Sequence, residues 1–350
     1  RVVLHRGDAK QADVPGRYQR FADHGRTPPS RGADDWIDGR RGKLLDFDGY
    51  FPMTPPKSQA QWEDRARRLR QRIQIAAGLW PMPARPPVDA TVHGRVDRDD
   101  YTVDKVYFES RPGFFVTGNL YRPKGFSGPR PAVLCPHGHW PDGRFQDVSA
   151  DEVQSQIAAG AERLENAARH VIQARCVHLA RLGCIAFAYD MIGYADSRQI
   201  PLGVAHALHH YRPEMDGRED WGLFSTQAEL RLINVFGLQT FNSIRALDWI
   251  CSLPDVDADR IAVTGASGGG TQTMILCAID PRPAVSFPAV MVSTSMQGGC
   301  TCENACLLRV DGGNIDIAGL FAPKPQAMTT ADDWTRELVK KGLPELEILY

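Results

Sequence analysis

The chain has 350 residues, enough for one large domain with an extension or for two domains, with a core that needs no staples. Its 41 basic and 42 acidic residues leave a formal net charge of −1, so no net field is available to gather nucleic acid or coat a membrane. No apolar run approaches the length of a spanning helix; with Arg rather than Met at residue 1, both cytoplasmic and exported locations stay open.

Residues 1–57 are rich in Arg, Gly, Asp and Pro without periodicity and read as loop or a wrapped arm. Ser58 with Gln61 forms a capping-box pattern. Trp62, Ala66, Leu69, Ile73 and Ala76 then recur at helical spacing, so a helix is expected over 58–77, stopped by Gly78 ahead of Pro81 and Pro83. Arg65, Arg68 and Arg72 on its other side, diluted by Glu63 and Asp64, read as a solvated face. Residues 1–99 are taken as an N-terminal extension and 100–350 as the main domain.

From about residue 100 the texture changes. TVDKVYFES and FFVTGNLYRP read as strands joined by the turn Arg111-Pro112-Gly113. AVLC (132–135), CIAFAYD (184–190), RIAVTG (260–265), AVSFPAVMV (284–292) and PQAMTTA (325–331) read as buried strands. Helical stretches, ARCVHLARLG and GLQTFNSIRALDWICSL among them, separate these strands. Apolar strands alternating with helices predict a mostly parallel central sheet covered on both faces, and the opening hairpin makes it mixed. That is the α/β class in its α/β-hydrolase layout. The insert 141–175, with helical ADEVQSQIAAGAERLENAARHVIQ, is expected to overhang the site as a cap.

The sharpest motif is Gly265-Ala266-Ser267-Gly268-Gly269, between strand RIAVTG and helical TQTMILCAID. G-x-S-x-G in that context is a nucleophile elbow: the serine sits on a strained turn, so its neighbours must be small, and the helix N-terminus favours developing negative charge. Ser267 is therefore the candidate nucleophile. The oxyanion donors are expected to be the backbone N–H of Gly268 and that of His139 in Pro136-His137-Gly138-His139-Trp140; a metal role for His137 and His139 is not favoured, because no carboxylate partner lies nearby in the sequence. Asp190 and Ser197, in DMIGYADS, read as ties for a loop beside the site.

The triad acid is expected after PQAMTTA, at Asp333 ahead of Asp332, with Glu303 in the CENAC loop as the alternative acid. The ten histidines (5, 24, 93, 137, 139, 170, 178, 206, 209 and 210) all precede Ser267, whereas hydrolases of this layout run Ser, acid, His. We therefore expect the base beyond Tyr350, and this chain to lack a last strand, its histidine loop and most of its activity. Cys135, Cys184, Cys251 and Cys277 read as core residues. Cys300, Cys302 and Cys306 in QGGCTCENAC show C-x-C spacing without a nearby histidine and read as structural or substrate-loop thiols rather than a metal site. No cofactor and no metal are expected.

PHGHWPDGR, ARCVHLARLGCIAFAYDMIGYADS, GLQTFNSIRALDWICSLPDVDADRIAVTGASGGGTQT, MQGGCTCENACLLR and LFAPKPQAMTTADDW together resemble the acetylxylan-esterase-like α/β-hydrolases of bacteria, from about residue 48 onward. The resemblance implies a serine esterase, with acylated plant polysaccharide as a candidate substrate. It also implies that Ser267, His139, Gly268 and Asp333 carry the roles given above. The partner expected is a small-molecule or polysaccharide ester, with no nucleic acid and no membrane. The rivals are a prolyl-oligopeptidase-type peptidase, a glucuronoyl esterase needing a cationic group near Ser267, and a non-catalytic hydrolase-like binding protein.

Overall fold

The structure is a computed structural model that describes residues 51–206, 228, 230–295, 298–310 and 312–350, so the arm expected over 1–57 falls almost wholly outside the described residues. Leu45–Tyr350 form one compact unit.

Helix α1, Gln59–Ala76, starts where the capping pattern places it, with the Ser58 hydroxyl accepting from Gln61 N–H, and it buries Ala66, Leu69, Ile73 and Ala76. Those four residues belong to the principal core. The division expected at residues 99 and 100 is thus not a division of the packed unit. The strand β1, Ala90–Asp97, pairs antiparallel with β2, Tyr101–Arg111. Sequence patterning missed β1 because its residues are exposed almost throughout, so it has no alternating buried face to display. The solvated face expected on α1 is also corrected. Arg65 pairs with the buried Asp316, and Arg72 bonds the Val310 carbonyl; Arg68, paired to Asp64, stays at the surface.

After the hairpin of β2 and β3 (Phe114–Pro123) come β4 (Arg130–Leu134), β5 (Ile185–Tyr189), β6 (Val256–Ala266) and β7 (Val285–Ala289). The sheet order is β1-β2-β3-β5-β4-β6-β7, antiparallel as far as β5 and parallel from β5 to β7. The segment expected as a further strand meets β7 only at Ser286↔Gln326 and Ala289↔Thr329, both parallel.

Alternation sorts the side chains by size. Ile185, Phe187 and Tyr189 of β5 face the principal core, with Ala132 and Leu134 of β4. Ala186 and Ala188 face the other side with Val133 and Cys135, against Cys176 and Ala180. Those last two lie on α4, Val171–Arg181. Small residues on both surfaces let that helix sit close. In the insert, the helical run expected to be continuous is broken into α2 (Ala150–Ala158) and α3 (Glu165–Arg169), with Gly160 at φ +72° just past α2. A short α5, Leu202–Ala205, follows β5.

Two helices flank β6. Helix α6, Val235–Ser252, is capped by Asn234, whose Oδ1 accepts from Gly237 N–H while its Nδ2 donates to the Ala76 carbonyl. Helix α7, Gly268–Ile279, is buried along nearly its whole length. Among the described residues no helix is long and apolar enough to cross a membrane.

A Cβ on Gly237 would lie 1.9 Å from the Ala77 carbonyl oxygen. Gly237→Ala is therefore expected to force α6 away from the end of α1 and to lower stability by about 2 kcal/mol or more. Urea unfolding should show a lower midpoint at an unchanged slope.

Candidate active site

Strand β6 runs into α7 through Ser267, which stands at φ +54°, ψ −123°. A non-glycine residue there is strained, and persists only where the surroundings over-determine it. Here Ser267 N–H donates to the Ala289 carbonyl at 3.1 Å and its carbonyl accepts from Thr271 N–H at 3.0 Å. The glycines on either side admit the neighbouring loop: a Cβ on Gly265 or on Gly269 would lie 2.4 Å from the Pro136 carbonyl oxygen. A Cβ on Gly138 would lie 2.9 Å from that of Ser267. The loop after β4 is thus seated against the serine. The N–H groups of His139 and Gly268 have no acceptor among the described residues, and both belong to segments that touch the elbow.

His137 is a structural residue. It is buried, its Nδ1 bonds the Gly138 carbonyl at 2.9 Å, and its Nε2 accepts from Met191 N–H at 3.1 Å. Burial pushes its pKa down to about 3, so the ring stays neutral. Asp190 is a tie, as its motif suggests. Fully buried, its Oδ2 accepts from Thr117 Oγ1 at 2.5 Å, from Asp196 N–H at 3.2 Å and from Arg144. Arg144, itself buried, also pairs with Asp196 at 2.5 Å. Arg144, among the first residues of the insert, thus ties the insert to the loop after β5. Ser197 contributes backbone bonds to Gly193 and Tyr194.

Beyond β7, Asp333 is half-buried and its Oδ1 accepts from Thr335 N–H at 2.7 Å and Thr335 Oγ1 at 2.6 Å. Its loop is held by Ser293 and Ser295, whose hydroxyls donate to the Trp334 carbonyl at 2.6 and 2.9 Å. Val290 N–H bonds the Thr329 carbonyl, so the ladder that starts at Ser267 and Ala289 reaches the segment leading to Asp333. Asp332 is 96% exposed and lies 3.5 Å from Arg336. Glu303 is buried with both oxygens engaged: Oε1 with Thr271 Oγ1 at 3.3 Å, Oε2 with the N–H groups of Gly299 and Cys300 at 3.0 Å.

The C-x-C segment shows what one-dimensional spacing hides. His139, His206, Cys300 and Cys302 come together with their donor atoms all within 4.8 Å of one another. The sequence premise of no nearby histidine fails because the two rings arrive from segments roughly 100 and 160 residues upstream. Cys306, by contrast, is exposed. A cavity of about 630 Å³ beside β2 and α6 contains none of the candidate catalytic residues.

Sheet order, elbow and loop placement define the class: an α/β-hydrolase fold. The acetyl xylan esterase family model matches residues 170–292, which include Ser267. A curated relative, "Putative hydrolase YtaP" of Bacillus subtilis, is 27% identical over 220 residues, 61% of this chain and 61% of that protein. Among solved structures, Methylesterase BT1017 matches with TM-score 0.62 and 27% identity over 84% of this chain and 57% of that one. A structure described as "a putative acetyl xylan esterase" from Bacteroides fragilis matches with TM-score 0.59 and 16% identity, over 88% of this chain and 80% of that one. A glucuronoyl esterase from Solibacter usitatus matches with TM-score 0.52 and 15% identity, over 89% of this chain and 87% of that one. The last two likenesses concern the fold alone. The chain spans 61% of the curated relative's length and 57% of the methylesterase's.

Two predictions follow from the loop contacts. Arg144→Met leaves the Asp190 carboxylate buried without its cation and should cost about 3–5 kcal/mol in chemical denaturation. His137 has a folded pKa of about 3, below its unfolded value, so its contribution is present above about pH 6.5 and is lost as pH falls from there toward 3. Stability measured across that window should decline on acidification, and His137→Gln should remove up to about one proton of that slope.

Proposed function

We propose that the protein is a serine carboxylic-ester hydrolase acting on carbohydrate esters of the acetylxylan type. The observation that carries the reading is Ser267 in a strained strand-to-helix turn, with the N–H groups of His139 and Gly268, which have no acceptor among the described residues, on the segments packed against it. Ser267 Oγ attacks the ester carbonyl, the tetrahedral oxyanion rests on the two N–H groups, the alcohol leaves, and water clears the acyl-enzyme. Asp333 is the triad acid in this reading: its Oδ1 is tied to Thr335, which fixes the carboxylate on a loop anchored to the end of β7. Asp332 points to solvent, and the oxygens of Glu303 are spent on Thr271, Gly299 and Cys300.

The general base in this reading is an imidazole, which none of the described histidines near the elbow supplies. The described histidines near the elbow are engaged elsewhere: His137 with Gly138 and Met191, His139 with Cys302, His206 with Ile192 and Cys300. The likeness to a methylesterase and to acetyl xylan esterases supports an ester with a small group on one side of the carbonyl.

The test is hydrolysis of an aryl acetate and release of acetate from acetylated xylan by the protein and by its Ser267→Ala variant, which should be slower by on the order of 10⁶ in kcat. Activity that survives Ser267→Ala would end the reading.

A further inference from the structure

We propose that His139, His206, Cys300 and Cys302 form a structural zinc site that clamps the oxyanion loop to the loops after β5 and β7. Tetrahedral Cys₂His₂ sites have Zn–S near 2.3 Å and Zn–N near 2.0–2.1 Å, which sets neighbouring donor atoms roughly 3.3–3.8 Å apart. His139 Nε2 stands 3.1 Å from Cys302 Sγ, and His206 Nδ1 stands 3.4 Å from Cys300 Sγ. The whole donor set falls within 4.8 Å. Four protein donors fill a tetrahedron and leave no open position, the pattern of a structural rather than a catalytic zinc.

The surroundings are those of a ligand site. His206 Nε2 lies 2.7 Å from the Ile192 carbonyl, the bond that fixes the tautomer and turns the lone pair of Nδ1 toward Cys300. Cys300, Cys302 and His206 are buried, and His139 is half-buried. A cavity of about 10 Å³, the size of one small particle, is lined by His139, His206, Cys302 and Gly268 among others. Loading replaces two thiol protons, released to solvent, by one divalent ion. Two thiolates and Zn²⁺ sum to zero charge, which suits a buried position better than free ions would. No redox change is involved.

The three segments bridged are distant in sequence and already meet at the site, where Met191 N–H donates to His137 Nε2 at 3.1 Å and Thr301 Oγ1 donates to the Ala205 carbonyl at 2.7 Å. The first carries His139, whose N–H is a proposed oxyanion donor; the second follows β5; the third holds Glu303, which bonds Thr271 on α7. Zinc would therefore set the position of the His139 N–H before substrate arrives. That consequence rests on the esterase reading; the site itself does not.

The experiment is metal analysis of the full 350-residue chain purified without chelator, followed by exchange into Co²⁺. About one zinc per chain is expected, and cobalt should give the intense visible bands and thiolate charge transfer of tetrahedral S₂N₂ coordination. Cys300→Ser/Cys302→Ser should lose both metal and bands, while Cys306→Ser and Ser267→Ala should keep them. Retention in Ser267→Ala separates this proposal from the esterase reading. Metal held by the Cys300→Ser/Cys302→Ser variant would place it elsewhere and overturn the proposal. So would a parent chain with reduced thiols that takes up neither zinc nor cobalt, a measurement that does not depend on any variant folding.

Discussion

The carbonyl oxygen of Pro136 occupies the space that a Cβ on Gly265 or on Gly269 would claim. Much at the carboxyl edge of the parallel strands follows from that approach. It lets the end of β4 lie against the turn from β6 to α7. It thereby brings Gly138 against Ser267 and leaves Ser267 N–H to bond the end of β7. Three neighbouring strands are fixed at one point by backbone contacts alone. Side chains then secure the periphery: Arg144 and Asp190 on one flank, Ser293 and Ser295 on the other.

Strands and helices with buried, periodic faces were legible from the residues. β2 to β7, α1 with its Ser58 cap, and the elbow at Ser267 stand where patterning puts them. What patterning missed is exposed or remote. Strand β1 carries Val92 and Val96 outward and breaks its register between His93 and Val96, so no alternating core face marks it. The arginines of α1 have the composition of a wet face, yet Arg65 and Arg72 find partners some 240 residues further along, which helical periodicity does not encode.

The candidate site divides in the same way. Ser267, Gly268 and His139 lie in short motifs whose chemistry is local, and the N–H groups of the last two are unpartnered among the described residues. The His₂Cys₂ cluster is the opposite case: C-x-C holds half of it, and the other half is a histidine in the loop after β4 and one beyond β5. Only the sheet order, which inserts β4 between β5 and β6, makes these residues neighbours.

The contacts of α1 also bear on how the chain acquires its fold. Arg70 donates to the carbonyls of Ala278 and Leu320, Arg65 holds Asp316, and Arg72 holds Val310. These side chains of α1 therefore meet their partners only after a further 208 to 251 residues have been made. Such contacts close very long loops, so their entropy is lost well before the contacts repay it, and they belong to the slow end of folding. Until then the apolar face of α1, with Leu69 and Ile73, has no completed core to enter. On the ribosome the α1 seam is the vulnerable interval, where a chaperone would have most to cover.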